Sequence, residues 1–186
     1  MLRSVRWALV AVFAVPLLAV GVGVAAPDKA ELKVAKDAVD KMVGGTAPKE
    51  IGDVKKTTSS EAIMALLDIA KVGGYGHPMG KDNVSIEYRL TELAKKGIAP
   101  ADLDKEQKDL ILSLERIKAV TELNEQFTPA KKVGNKDPKD WTKSNGEVRK
   151  GTADLIEAVK AKDTKKIQAI AKALEGSCTA CHNVFK

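Results

Sequence analysis

Aromatic residues are scarce in this chain: three Phe, two Trp and two Tyr in 186 positions. No segment alternates apolar and polar residues as a half-buried strand does, which argues against a sheet architecture. Cysteine is just as sparse. The two present, Cys178 and Cys181, could form only a bridge between positions three apart, which closes too short a loop to staple a fold. The chain also holds just two histidines, so a four-ligand zinc site would need His77 together with Cys178, Cys181 and His182. No basic tract carries interleaved aromatics, and nucleic acid is therefore not an expected partner. Gly80-Lys81 follows several glycines but does not make a phosphate-binding loop. Tyr75 stands where that motif needs glycine, and Asp82 where it needs Ser or Thr.

Only one long apolar run exists, from Trp7 to Ala26, preceded by Arg3 and Arg6. Basic start, apolar middle and small residues at Gly23-Val24-Ala25 read as a secretory signal over residues 1–25, cleaved after Ala25. An uncleaved membrane anchor is the rival reading. Export to the periplasm is expected, with residues 26–186 as one domain. The formal charge is +6, and removing Arg3 and Arg6 leaves +4. Acids and bases are mixed along the chain, the usual pattern of solvated helix surfaces.

Helical periodicity recurs throughout. A helix is expected over about 29–43, with Leu32, Ala35 and Val39 on one face and a stop at Gly44-Gly45. A second starts at the capping hydroxyls of Thr58-Ser59-Ser60, carries Ile63, Leu66 and Leu67, and ends at Gly73-Gly74. Residues 73–83 read as loop. Further helices are expected over about 85–96, 103–127 and 138–162, with Pro138 in the first turn of the last of these. A final helix carries Ile167, Ile170, Ala171 and Leu174. Short corners between such helices point to an all-α fold, an antiparallel four-helix bundle with extra N-terminal helical segments.

Cys178-Thr-Ala-Cys181-His182 is the attachment sequence of a c-type haem. The two thiols add to the porphyrin vinyl groups and the histidine gives an imidazole nitrogen to iron. Cys178, Cys181, His182 and Phe185 continue the apolar stripe of the final helix at three-and-four spacing, so the haem belongs inside the bundle. A thioredoxin-like redox pair is a weaker reading, because no βαβ pattern surrounds the cysteines. Four residues follow His182, so any second iron ligand would come from upstream, or the iron would keep an open face.

The segment from Trp141 to Lys186 resembles the C-terminal half of the cytochrome c′ family, the class II c-type cytochromes. The marks are Trp141 at the start of a helix, the Ala-Val-Lys-Ala-Lys-Asp corner at 158–163 and the ending Cys-x-x-Cys-His-x-x-Phe-Lys. The likeness is strongest over about 103–186. It implies a four-helix bundle, often dimeric, with one covalent haem c. It also implies Cys178 and Cys181 as the haem anchors and His182 as the proximal ligand. Lys186 stands at a basic position that would face the propionate side.

Some members of that family leave iron five-coordinate, and others bring a methionine from the first helix. Met64 is the preferred sixth-ligand candidate here, since it lies in an amphipathic helix beside Ile63 and Leu67. Simple core filling is its competing role. His77, Met79 and Met42 are further candidates. The expected function is electron transfer with redox partner proteins; the alternative is binding of small gases such as NO or CO at an open iron face. No enzymatic activity is expected, since peroxide chemistry needs a distal acid–base group and only His77 is a histidine candidate for it.

Overall fold

The structure, a computed structural model, describes residues 27–134 and 136–185. The signal-peptide reading of residues 1–25 and the reading of Lys186 lie outside the described residues. Helix α1 (Lys29–Val43) is followed by the short α2 (Pro48–Ile51) and α3 (Ser60–Ala65). A hairpin of β1 (His77–Met79) and β2 (Asp82–Val84) leads into α4 (Ile86–Lys96). Three long helices complete the chain: α5 (Pro100–Asn124), α6 (Pro138–Lys160) and α7 (Thr164–Phe185).

The starts of these helices follow from their capping residues. Asp28, Ser59 and Ser85 each accept a backbone N–H of the first turn with a side-chain oxygen. Helix α6 opens on a capping box. Asp137 accepts from its first turn and Asp140 reaches back to the Asp137 N–H, while Pro138 fills a position that needs no donor.

Helix α5 packs on α6, α6 on α7, and α7 on α4. The remaining edge, between α4 and α5, is closed by side chains. Ile86, Leu90 and Leu93 face Leu110, Leu114 and Ile117 around a small cavity. These four helices form the expected bundle. Their apolar faces meet in a core that includes Leu103, Val120, Leu155, Val159, Ile167 and Leu174. Helix α1 lies outside this square against α5 and α3. Tyr75 clamps it there, with its hydroxyl 2.8 Å from Asp40 Oδ1 and 3.1 Å from the Lys36 carbonyl. The Arg116 guanidinium sits 4.0 Å from the Tyr75 ring centre.

Two expectations fail before α4. The second helix does not run to Gly73; α3 stops at Ala65. The carbonyls that would have continued it are taken elsewhere. Leu66 accepts from Tyr75 N, Leu67 from Ile86 N and Asp68 from Gly76 N. Gly74 makes this turn sterically feasible, since a Cβ there would lie 2.2 Å from the Asp68 carbonyl oxygen. The stretch read as loop contains the short hairpin, with Pro78 opposite Asn83.

Candidate haem-binding site

On α7 the core-facing stripe emerges stepwise from the interior. Ile167, Ala171 and Leu174 are fully buried, whereas Cys178, Cys181 and His182 are half-buried and Thr179, Ala180 and Asn183 are exposed. The motif residues therefore share one face, as their spacing predicts. Both cysteines are free thiols. Burial, with help from the nearby Glu87 carboxylate, pushes the Cys178 thiol up to about 12. Burial also raises Cys181, and a hydrogen bond with the Ser144 side chain partly offsets it. These two neighbours locate the motif. Cys178 lies by the start of α4 and Cys181 by the start of α6, at one end of the bundle.

Two thiols three positions apart, with an imidazole next to the second, are the donor set that covalent haem requires. Here they are unbridged, partly open and on one face, so the residues fit the group.

Helix α3 crosses this same end. At its start, the Ser60 hydroxyl donates to Asn124 Oδ1 at 2.7 Å, where α5 finishes. Just past its end, the Leu67 carbonyl accepts from Ile86 N at 2.8 Å, where α4 begins. Ala62, Ile63 and Leu66 are buried, whereas Ser60, Met64 and Leu67 are half-buried. Met64 lies four residues after Ser60 and three before Leu67, on the same face as both. Its helix is thus pinned on either side of it to the helices that flank the cysteines.

The other candidates stand elsewhere. His77 is fully buried, with Nδ1 2.9 Å from Ser113 Oγ and Nε2 3.7 Å from Glu106 Oε2. Arg89 pairs with the same carboxylate at 2.8 Å. Met79 lines an open cleft with Ser85 and Tyr88. Met42 is half-buried near the end of α1.

Sequence reading missed the polar group that anchors α3. Trp141 Nε1 donates to the Asn124 carbonyl at 3.1 Å, and Asn145 Nδ2 donates to the Trp141 carbonyl at 2.9 Å. Asn124 is buried next to the core position Leu123, and Asn145 is buried on the inner face of α6. Buried amides at core-facing helix positions were the available signal, because such groups must find partners.

Residues 101–186 match the family model described as Cytochrome C′. Over that segment the chain is similar to the cytochrome c′ family, as its C-terminal motif and corner suggest. That family carries covalently bound haem c, and the match therefore implies haem c here. The match takes in α5, α6 and α7; α4, the hairpin and Met64 lie before it. No curated protein and no solved structure matches the chain. Among the described residues, no helix is long and apolar enough to cross a membrane.

Proposed function

We propose that the protein is an exported monohaem electron carrier whose iron is held by His182 and Met64. Bound haem supplies a one-electron couple. Cys178 and Cys181 anchor it to α7, His182 gives the proximal nitrogen and Met64 the distal sulfur. Leu174, one turn before Cys178, is buried in the apolar core and would keep water from the inner side of the group. A thioether ligand and a dry, low-dielectric setting are the levers that set the potential. The observation that carries this reading is the double anchoring of α3, which fixes Met64 between the ends of α5 and α4.

Ferric and ferrous absorption spectra of the haem-loaded protein test it. Low-spin, six-coordinate spectra that become high-spin in Met64→Leu are expected. A wild-type spectrum already high-spin in the ferrous state, with rapid CO binding, establishes gas binding instead. One observation favours that second reading. Helix α4 packs on α7 and begins near Cys178, with no Met or His along its length.

A further inference from the structure

Acids and bases are mixed along most of the chain, but one segment carries a surplus of bases. Residues 128–150 carry seven Lys or Arg against three Asp or Glu, whereas residues 27–127 have two more acids than bases. The basic segment therefore holds +4, as much as the whole chain has once Arg3 and Arg6 are set aside. It comprises the α5–α6 connector and the first half of α6, at the motif end of the bundle.

The lysines of this segment are free to act outward. Lys131, Lys132, Lys136, Lys139, Lys143 and Lys150 are all exposed. Among the described residues, only Lys143 has a carboxylate within ion-pair range, Glu147 at 3.9 Å. The local acids are engaged otherwise: Asp137 and Asp140 are spent on the α6 capping box. Arg149 is neutralised by Glu125 at 2.8 Å. The connector holds its shape through paired backbone bonds between Val133 and Lys136, at 3.0 and 3.1 Å. Val133 is thereby presented 41% exposed among the lysines. On α6, Lys139, Lys143 and Lys150 fall on one face. Gly146 lies between them, and a Cβ there would meet nothing within 4 Å among the described residues. Ser144, the partner of Cys181, lies on the same half of α6 but round the helix from this stripe, toward the core. The opposite flank of the motif is acidic, with Glu87 and Glu175 near Cys178.

We propose that the connector and the first half of α6 form the docking face for an acidic partner protein that exchanges electrons with the haem. The inference rests on the electron-carrier reading above. An exposed apolar side chain within a ring of unpaired like charges is the composition of a transient interface, and its field speeds encounter more than it tightens binding. The acidic flank by α4 repels the same partner and so fixes its orientation. A folded acidic surface is favoured over a lipid surface because the segment offers one exposed apolar residue, not an apolar helix face.

The test uses the haem-loaded, ferrous protein, oxidised in stopped flow by anionic hexacyanoferrate(III) or cationic hexaammineruthenium(III). A K131E/K132E/K136E/K139E variant is compared with K29E/K33E/K41E on α1, both with native far-UV spectra. The anionic probe's rate should fall about threefold or more as salt rises from about 10 to about 200 mM. The connector variant should lose that enhancement, and the α1 variant should keep it. Equal effects of the two variants overturn the docking face and leave electron transfer standing. Failure of both probes to oxidise the wild type overturns the electron-carrier reading and the docking face with it. Binding to phosphatidylglycerol vesicles that is lost in the connector variant, with no binding to poly-L-glutamate, overturns the protein partner in favour of a membrane.

Discussion

His77 illustrates what a sequence reveals about one residue and what it hides. Its place in Gly74-Tyr75-Gly76-His77-Pro78 suggests a loop side chain facing solvent. In the structure the ring is sealed between the hairpin and α5, against Ser113 and Glu106, with Arg89 alongside from α4. The contact with Ser113 joins positions 36 apart, and no local pattern announces it. Burial, and next the Arg89 guanidinium, hold the imidazolium below its ordinary pKa, while Glu106 opposes them. A histidine depressed in this way is neutral when folded and takes up its proton on unfolding. Its contribution to stability is complete above the unfolded value of about 6.5 and declines as pH falls from there towards the lowered folded value. Urea midpoints at about pH 7.5 and about pH 5.5 should therefore drop further in the wild type than in His77→Gln. An equal drop in both proteins assigns the acid sensitivity to other groups.

At the scale of elements, the long helices were readable because each is a sustained apolar stripe bounded by a cap or a proline. Helices α1, α4, α5, α6 and α7 fall within a few residues of their expected limits. Helix α3 does not, because its end is set by hydrogen bonds to Tyr75, Gly76 and Ile86, which periodicity cannot register. The haem motif was legible for the opposite reason: its chemistry is local in sequence and its face is fixed by one helix. Met64 needed both levels, since its helix shows in the sequence and the two anchors of that helix do not. The Ser60 anchor gives a direct test. Ser60→Ala leaves Asn124 Oδ1 without its donor, which costs about 1 kcal/mol of stability. If α3 positions the distal methionine, the same variant increases the high-spin fraction of the ferric spectrum while still holding covalent haem. Asp137→Ala removes the α6 cap at a similar cost of about 1 kcal/mol. That loss lowers the thermal midpoint without altering the spin state, because the cap touches neither iron nor α3.

For the whole molecule, the decisive feature is the gradient of burial along α7. Leu174 is 1% exposed and packs into the bundle core, yet one turn later Cys178, Cys181 and His182 are only half-covered by protein. The protein's own side chains thus finish the core up to Leu174 and leave the motif end incomplete. Covalent haem on Cys178 and Cys181 is the group that would complete it, by covering the part of the motif face that protein leaves open. Local stability follows from such packing: backbone amides open readily where few apolar contacts hold them and slowly where many do. In the haem-loaded protein, amides from Cys178 to Phe185 should exchange hydrogen at rates near those of Ile167 to Leu174. In a Cys178→Ala/Cys181→Ala protein, which lacks the covalent anchors, the last two turns should exchange at least about tenfold faster. Leu155, Ile156, Ala158 and Val159, buried on α6 between α5 and α7, should keep their protection in both. Uniform loss of protection along α6 and α7 would mean that haem is required for the whole bundle rather than for its open end. Unchanged protection of residues 178–185 would mean that the bundle is already complete without it.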